Sequence, residues 1–292
     1  MRKITKAVIP VAGLGTRMLP ATKEIPKELL PILDKPIIQY IVEEAVNAGI
    51  SEIIFVTNAS KETIKNHFKQ NLTLEKYLKE KKKKDTLSKF PNYLFKKINF
   101  SSVLQKAPLG LGHAILAAEK KIKNENFAVF LPDEFLVSKT DKSDFNRMLD
   151  NYSKTSQNQI LVEKVPKKII SNYGVVKLKS NKISVTKPEN ILDIIEKPLY
   201  RDAPSDKRVV GRYILPNIIF KFLKKTKPGA DNEIQLTDAL RKMILQNSDS
   251  FQATLSESKI FDCGSMKGFV GANIAMGLKD KDLKKHIMET LI

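Results

Sequence analysis

The segment from Lys6 to Pro36 contains the residue types that could hold a chain of phosphates. Two glycines separated by one residue, Gly13 and Gly15, follow a short apolar run. Because glycine has no Cβ, backbone N–H groups can approach an anion closely at such positions. Three cations accompany them: Arg17, Lys23 and Lys27. The pattern predicts a loop that binds a nucleoside triphosphate at the end of a strand.

The details of this loop exclude two familiar nucleotide-binding motifs. A dinucleotide fingerprint needs a third glycine at position 18, where the chain has Met18, and a helix that begins at once. The G-x-x-x-x-G-K-[ST] motif of P-loop proteins does not occur in the sequence. Four prolines between Ala12 and Pro36 disfavour helix, which predicts a long irregular connection. Such connections are usually functional, and an ordinary stiff surface loop is the alternative.

Two aspartates follow predicted buried strands. Asp133 comes after the apolar run 127–131, and Asp262 lies near the end of the run 259–264. Ligands of open α/β sheets bind at the carboxyl ends of strands, so both carboxylates could face one site. Mg²⁺ takes one or two carboxylates and completes its shell with phosphates and waters. The alternative is a pair of unrelated aspartates that cap neighbouring helices.

A third group of polar residues lies further along the chain. Glu196 and Lys197 end an apolar run, and Gly174 begins another. Glu196 could accept hydrogen bonds from sugar hydroxyls while Lys197 pairs with a phosphate. An exposed ion pair of little energetic value is the alternative. The sequence has no G-x-S-x-G or H-E-x-x-H motif and three histidines, which argues against nucleophile-based catalysis.

The first half of the chain is predicted to alternate strands and helices, in βαβ units with parallel strands. The predicted strands are 7–11, 52–57, 94–100 with a continuation to 105, and 127–131. The predicted helices begin at 37 and cover 60–68, with Ser60 as N-cap, 72–90 and 110–121.

The second half is predicted to be richer in strands, at 160–165, 174–178, 191–195, 209–215 and 259–264. Helices are expected at 217–224, at 234–246 and twice at the end of the chain. The sequence has no internal repeat and no Gly/Ser-rich linker. These features favour one α/β domain with a β-rich insertion over two independent domains.

Composition limits the class of protein. With 292 residues, 42% of them hydrophobic, and no apolar run of about 18 residues, the chain is typical of a soluble globular protein. The amino terminus leads directly into the first predicted strand, which leaves no room for a signal peptide. The single cysteine, Cys263, excludes an internal disulfide and fits a reducing compartment. We therefore expect a cytoplasmic protein in which Cys263 is a small, partly buried residue.

The net charge of +19 could indicate a nucleic-acid-binding protein. However, only seven of the 51 basic residues are arginine, the residue that reads bases and phosphates in bidentate fashion. The densest basic run, 79–84, contains no aromatic residues. A solvated, lysine-rich surface explains the charge, so neither nucleic acid nor a membrane is expected as a partner.

A series of motifs gives the chain a family resemblance. They occur in the order A-G-L-G-T-R-M-L-P-A-T-K, I-P-K-E-L-L-P-I, G-L-G-H-A, L-P-D, Y-G-V-V, I-E-K-P, V-G-R-Y, E-I-Q-L-T-D-A and F-D-C-G. In these motifs the chain resembles the bacterial UTP-glucose-1-phosphate uridylyltransferases, a branch of the sugar-phosphate nucleotidyltransferases, over essentially its whole length. The G-L-G-H-A and E-I-Q-L-T-D-A motifs are the most specific to this branch.

The resemblance implies a fold, a reaction and partners. The fold is a Rossmann-like mixed, mostly parallel sheet flanked by helices, with a β-rich sugar-binding insertion. Its single domain comprises a nucleotide-binding half (1–135), a sugar-binding half (136–264) and carboxyl-terminal helices (265–292). UTP and glucose 1-phosphate are the implied substrates, UDP-glucose and pyrophosphate the products, Mg²⁺ the cofactor, and a homodimer or homotetramer the implied assembly.

The resemblance also implies roles for particular residues. The nucleotide would be bound by Ala12, Gly13, Gly15, Gln105 and Gly110. Glucose 1-phosphate would be bound by Gly174, Glu196 and Lys197. Mg²⁺ would be held by Asp133 and Asp262. The catalytic cations would be Arg17, Lys27 and Lys197.

The chain departs from the family pattern just before G-L-G-H-A, where many members have a lysine and this chain has Leu109. Any phosphate or nucleotide contact from that position is therefore lost. Asn232 is a second, smaller variation beside the expected sugar pocket. Three alternative functions stay open: a sister enzyme that uses dTTP or ATP, a sugar-nucleotide sensor that has lost turnover, and a nucleic-acid-binding protein.

Overall fold

The computed structural model describes residues 3–59, 61–229 and 232–290. The strands are β1 (Lys6–Pro10), β2 (Pro31–Ile32), β3 (Lys35–Pro36), β4 (Glu52–Thr57), β5 (Asn99–Leu104), β6 (Phe127–Phe130), β7 (Glu134–Val137), β8 (Asn158–Lys164), β9 (Val175–Leu178), β10 (Glu189–Ile195), β11 (Lys207–Leu215), β12 (Phe251–Leu255) and β13 (Lys259–Asp262). The helices are α1 (Ile37–Asn47), α2 (Glu62–His67), α3 (Leu72–Glu80), α4 (Lys84–Ser88), α5 (Pro91–Leu94), α6 (Leu111–Ala117), α7 (Glu119–Ile122), α8 (Asp144–Thr155), α9 (Ile219–Leu223), α10 (Leu236–Gln246), α11 (Met266–Gly277) and α12 (Lys281–Thr290).

One nine-stranded sheet, with strand order β5-β4-β1-β6-β11-β8-β12-β10-β9, forms the centre of the molecule. Strands β5, β4, β1 and β6 are all parallel, as the predicted βαβ units require. The expected mixed sheet with flanking helices is confirmed, but the expectation that it is mostly parallel is wrong: of its eight neighbouring strand pairs in the described residues, four are parallel and four are antiparallel. Its parallel pairing is concentrated in the amino-terminal half, whereas the second half is largely antiparallel, with β12 parallel to β8.

The parallel strands are buried on both faces. Along β1, Val8 and Ile9 are both fully buried, but they belong to two separate hydrophobic cores on opposite faces of the sheet. Successive side chains of a strand point to opposite faces, so a strand covered on both sides must be apolar throughout. Continuous apolar runs therefore predicted β1, β4 and β6 correctly.

The predicted strand at 94–100 is wrong in its first part. The chain forms helix α5 over Pro91–Leu94, and the strand begins at Asn99. Proline at the first helical position is preorganised for a helix, which explains the start of α5. Phe95 is buried against Phe68 and Phe100, so its apolar side chain contributes to the core without forming part of a strand.

Several elements were not predicted, namely the short strands β2 and β3, strand β7, helix α8 and strand β12. The helix predicted from Ser60 is α2, which runs over Glu62–His67, and Ser60 itself lies outside the described residues. Where the chain is described, it contains no helix with the length and apolar character that crossing a bilayer requires.

The edge of the sheet that carries the candidate site is set by this topology. From β1 the chain passes to β4 on one side, while β6 lies on the other side of β1. This is a switch point, where the two neighbouring crossovers run in opposite directions and leave a crevice at the carboxyl ends of the strands. The loop after β1 and the turn after β6 both lie at this crevice.

Candidate active site

A cleft of about 440 Å³ lies at the carboxyl ends of β1 and β6. Predicted site residues that line it are Ala12, Gly13, Arg17, Lys27, Gln105, Gly110 and Asp133. Glu28 and Glu233, which the sequence analysis did not select, line it as well. Lys23 is not among its lining residues. The structure thus brings together residues from four separate segments of the chain at the predicted switch point.

The loop after β1 is held from its buried side. Gly15 has a φ of 70°, in the left-handed region that favours glycine, and precedes a single turn of 3₁₀ helix, Thr16–Met18. Met18 is buried, and the hydroxyl of Thr22 donates to the carbonyl of Gly15 at 2.8 Å. Gly13 and the side chain of Arg17 are left exposed on the outer side of the loop.

Lys27 and Asp133 form a sheltered ion pair at the floor of the cleft, with 2.6 Å between Nζ and Oδ2. Burial alone would lower the pKa of Lys27, but the charges of Asp133 and Glu28 outweigh it and raise that pKa above its ordinary value. Burial alone would raise the pKa of Asp133, but the adjacent ammonium holds it below its usual range. Both groups are therefore charged at neutral pH.

Arg17 and Asp262 form a second, more exposed pair, with 2.9 Å between Nη1 and Oδ2. The side chain of Arg17 is 60% exposed, compared with 15% for Lys27. A Cβ added to Gly264 would lie 2.5 Å from Nη2 of Arg17, 3.0 Å from Oδ1 of Asp262 and 3.1 Å from Oδ2 of Asp133. The two carboxylates and the guanidinium of Arg17 therefore border one shared space, which a side chain at position 264 would fill.

Backbone contacts bring these two aspartates together. Strand β13 pairs with β7, so that Asp262 lies opposite Glu134, and the N–H of Cys263 donates to the carbonyl of Asp133 at 2.7 Å. Cys263 is buried, and burial raises the pKa of its thiol to about 12. Its expected role as a small structural residue agrees with this environment.

The shared space suits a magnesium ion that takes few protein ligands, and it does not suit a metal that is held by protein side chains alone. Among the residues that the structure describes, no group of three or more His, Cys, Asp or Glu side chains could hold a metal. Two carboxylates that face one space suit Mg²⁺, which usually takes one or two of them and keeps waters and phosphate oxygens as its other ligands.

Arg212 positions the turn that carries Asp133, a role that the sequence analysis did not predict. Its guanidinium is fully buried and donates to the carbonyls of Leu131 and Glu134, each at 3.0 Å. It also pairs with the carboxylate of Glu44 on α1 at 2.8 Å. The two carbonyls lie on either side of Asp133 in the chain, so Arg212 fixes this turn from both ends. A buried arginine can satisfy all its donors in this way.

Gln105 and Gly110 meet at the other side of the cleft. The Nε2 of Gln105 donates to the carbonyl of Gly110 and contacts Nδ1 of His113, both at 3.1 Å. Because both amide hydrogens are used, the group that Gln105 can offer a ligand is its amide oxygen, an acceptor. Gly110 has a φ of 93°, and a Cβ there would lie 2.7 Å from the Cβ of Glu233, so the position requires glycine.

Gly174 and Glu196 meet in a separate group of residues, outside the lining of the nucleotide cleft. The hydroxyl of Thr237 donates to Oε2 of Glu196 at 2.6 Å, and a Cβ on Gly174 would lie 3.1 Å from the same oxygen. Burial raises the pKa of Glu196, the hydrogen bond from Thr237 opposes that increase, and the charge of Glu233 adds to it. Glu233 thus lines the cleft and also contributes to the electrostatic environment of Glu196.

Lys197 ends this group on the solvent side. Its side chain is exposed, and its backbone N–H donates to the carbonyl of Tyr173 at 3.1 Å. Its φ of 42° is unusual for a residue other than glycine. The predicted pairing of Lys197 with a phosphate stays a prediction.

Comparison with known proteins places this architecture among characterised relatives. The family model described as "Nucleotidyl transferase" matches residues 6–277. A UTP–glucose-1-phosphate uridylyltransferase of Haemophilus influenzae is 41% identical over 284 residues, which are 96% of each chain.

Solved structures show the same similarity in three dimensions. A UTP-bound UGPase from Acinetobacter baumannii superimposes with a TM-score of 0.91 at 40% identity and 99% coverage of both chains. A UDP-glucose pyrophosphorylase complexed with UDP-glucose gives a TM-score of 0.84 at 40% identity, covering 95% of this chain and all of that one.

Proposed function

The chain belongs to the nucleotidyl transferase family, and from this premise we propose that it transfers the uridylyl group of UTP to glucose 1-phosphate, forming UDP-glucose and pyrophosphate. The observation that carries the proposal is the placement of two cation–carboxylate pairs at the switch point of the sheet. Lys27 and Asp133 both line the cleft, and Arg17, which also lines it, pairs with Asp262 just outside the lining. The family resemblance seen in the sequence motifs supports the same reaction.

The base of UTP would lie against Gln105 and Gly110. The amide oxygen of Gln105 can accept the N3–H of uracil, whereas cytosine presents an acceptor at that position. Thymine carries the same N3–H, so this contact does not separate UTP from dTTP. Ala12, Gly13 and Gly15 would follow the ribose and the phosphates along the loop after β1.

The triphosphate would be met by Arg17 and Lys27, which lie on that loop and face the cleft. Asp133 and Asp262 would hold Mg²⁺, which would neutralise charge on the phosphates and on the departing pyrophosphate when bound. Each of these carboxylates is paired with a cation in the structure, so their charges are already balanced before a ligand arrives.

Glucose 1-phosphate would bind at Gly174, Glu196 and Lys197. The buried carboxylate of Glu196 suits neighbouring sugar hydroxyls as an acceptor, and the absence of a side chain at Gly174 leaves room for the ring beside it. Lys197, at the exposed side of the same group, would pair with the phosphate. In this arrangement residues 1–135 bind the nucleotide and residues 136–264 bind the sugar.

The reaction follows from this placement. The phosphate oxygen of glucose 1-phosphate attacks the α-phosphorus of UTP in line, the bond from the α-phosphorus to the bridging oxygen breaks, and pyrophosphate leaves. Both reactants are anions, so the work of the protein is to align them and to offset their repulsion. Arg17 and Lys27 do this for the triphosphate, and Lys197 for the incoming phosphate. No covalent enzyme intermediate is required.

A coupled assay of pyrophosphate release tests the proposal. We expect Mg²⁺-dependent release with UTP and glucose 1-phosphate, and much slower release when dTTP, ATP, CTP or GTP replaces UTP. Faster turnover with dTTP or ATP would assign the chain to a sister enzyme of the family. Tight binding of UDP-glucose without turnover would make it a sugar-nucleotide sensor, and a salt-dependent shift of DNA in a gel would indicate a nucleic-acid-binding protein.

We also propose that the chain forms a homodimer or homotetramer through its closing helices. Four apolar residues of α11 and α12 and the link between them are between 39% and 50% exposed: Ile274, Leu278, Leu283 and Met288. Apolar residues that are exposed on neighbouring turns suit an isologous contact. Light scattering at micromolar concentration should give at least twice the mass of 33.0 kDa. A cytoplasmic location stays a prediction from the sequence.

A further inference from the structure

A buried ion pair lies directly beneath the loop after β1. The side chain of Lys61, which follows β4, is 7% exposed, and that of Glu28 is 1% exposed. The ammonium of Lys61 donates to the two carboxylate oxygens of Glu28 at 3.1 and 2.8 Å. It also donates to the carbonyl of Gly13. The pair therefore connects three segments that are distant in sequence.

The contacts of Lys61 use all of its hydrogen-bonding capacity. An ammonium group has three N–H donors, and Glu28 and Gly13 accept all three. Lys61 consequently has no donor left for a ligand, even though it lies behind the loop that lines the cleft. Its contribution must be exerted through the groups that it holds.

Lys61 holds the carbonyl of Gly13 and the carboxylate of Glu28, and both residues line the cleft. Fixing the carbonyl of Gly13 fixes the whole planar peptide that links it to Leu14, so the N–H of Leu14 must point to the side away from Lys61. Glu28 directly follows Lys27, and both begin the short 3₁₀ helix Lys27–Leu29. The carboxylate of Glu28 thus anchors the turn from which Lys27 reaches Asp133.

We propose that Lys61 and Glu28 are positioning residues that hold the Gly13–Leu14 peptide and Lys27 ready for the phosphates of the nucleotide. The proposal rests on the proposed function, because it assumes that the loop after β1 binds a nucleoside triphosphate. Lys61 has no donor left for the substrate, and the side chain of Glu28, although it borders the cleft, is only 1% exposed.

The test uses three variants and one control in the full chain. Lys61→Met removes the cation, Glu28→Gln keeps the shape and removes the charge, and a double variant combines both. Lys65→Met, an exposed lysine on α2, is the matched control. Calorimetry measures the affinity for UTP without turnover, steady-state kinetics measures KM for glucose 1-phosphate, and thermal melting checks that each variant is folded.

We expect each single variant to bind UTP at least tenfold more weakly and to keep KM for glucose 1-phosphate within about twofold of wild type. Each single variant leaves one buried charge unpaired, whereas the double variant leaves none. The fold loss of UTP affinity in the double variant should therefore be smaller than the product of the fold losses in the two single variants. Lys65→Met should match wild type.

Unchanged UTP affinity in a folded Glu28→Gln variant would overturn the proposal, as would an equal loss for both substrates. If Lys61→Met does not fold, Glu28→Gln alone decides, because glutamine has nearly the same volume. Failure of the proposed function is distinguishable, since the wild-type chain would then bind no UTP or form no UDP-glucose.

Discussion

The two regions of the site treat a partly buried carboxylate in opposite ways. In the nucleotide cleft, Asp133 is paired with Lys27 at 2.6 Å, and its pKa lies below the usual range. In the group of residues proposed to bind the sugar, Glu196 accepts a hydrogen bond from the neutral hydroxyl of Thr237, and burial raises the pKa of Glu196. The first region offers matched charges to an anionic ligand. The second offers an acceptor whose charge is less well compensated, which suits the hydroxyls of a sugar.

This difference teaches that the directions of pKa shifts can distinguish two binding roles in neighbouring parts of one protein. A carboxylate beside a cation stays ionised and can serve a metal and phosphates at any pH near neutrality. A buried carboxylate held by hydroxyls keeps its charge only down to a higher pH, and it becomes fully satisfied when a sugar supplies further donors. If the contrast holds, variants of the two regions should affect different substrates and by different amounts.

The largest effect is expected from removing a carboxylate of the nucleotide cleft. Asp133→Asn and Asp262→Asn each keep the shape of the side chain but lose the charge that opposes Lys27 or Arg17. We expect the rate to fall by about a thousandfold, and its dependence on Mg²⁺ to shift to higher concentration. Asp150→Asn, at an exposed carboxylate of α8, is the control. A rate near wild type in either cleft variant would remove that aspartate from the site.

Removing the cations should have the next largest effect. Lys27→Ala and Arg17→Ala should each slow turnover by about a hundredfold or more, the usual loss when a charge partner of the transition state is removed. Lys27→Ala should slow turnover more than Arg17→Ala, because the ion pair of Lys27 with Asp133 is better sheltered from water. Lys23→Ala, on the same loop but outside the cleft lining, should stay near wild type. Stopped-flow measurement of pyrophosphate release gives these rates, and a larger effect at Lys23 would contradict the placement of the loop.

In the sugar group, Glu196→Gln should raise KM for glucose 1-phosphate at least tenfold and leave UTP affinity unchanged. The side-chain amide of glutamine has one acceptor oxygen and one NH₂ donor group. It therefore cannot accept a hydrogen bond on each of two oxygens from two sugar hydroxyls, as the carboxylate can. Thr237→Val, which removes the hydroxyl that donates to Glu196, sharpens the test and should show a smaller change in the same direction. Equal effects of Glu196→Gln on both substrates would move Glu196 out of the sugar pocket.

The smallest expected effect is a difference in pH dependence. The raised pKa of Glu196 means that this carboxylate gains a proton at a higher pH than an unperturbed glutamate, so its acceptor capacity is lost earlier as the solution is acidified. The lowered pKa of Asp133 keeps that group ionised over the same range. We therefore expect KM for glucose 1-phosphate to rise severalfold under mildly acidic conditions, while turnover at saturating sugar changes less.

Glu196→Gln is the control for this pH effect. The phosphate of the substrate itself titrates near pH 6, and this variant retains that contribution but lacks the one from Glu196. A pH profile of KM that is identical in wild type and Glu196→Gln would contradict the contrast between the two regions.

Much of the fold could be predicted from the sequence because its central strands are apolar throughout. Strand β4 was predicted with the bounds that the structure has, since its inner residues are buried on both faces. Strand β12 was not predicted, although Gln252 and Thr254 alternate with its apolar residues, a pattern typical of a strand with one solvent-facing side. Both are nevertheless buried, and Thr254 donates to the amide of Gln159 on β8 at 2.9 Å. Such pairing depends on which strands become neighbours, which local periodicity does not reveal.

The candidate site was predictable where residues end strands or form glycine-containing loops. The sequence therefore indicated Gly13, Arg17, Lys27 and Asp133, and the structure brings them together. It did not indicate the buried supports of the site, such as Arg212. A lysine or arginine in a basic chain is typical of a solvated surface, and its burial depends on a distant partner. A sequence alone gives no signal for such a pair.

A crystal structure of the chain with UDP-glucose and Mg²⁺ tests the central claim most directly. The account predicts uracil at Gln105 and Gly110, glucose hydroxyls within hydrogen-bonding distance of the Glu196 carboxylate, and one Mg²⁺ bound by both Asp133 and Asp262 at about 2.1 Å. Glucose bound away from Glu196, or carboxylates of the two aspartates more than about 8 Å apart around the bound product, a separation that one Mg²⁺ cannot bridge, would contradict it.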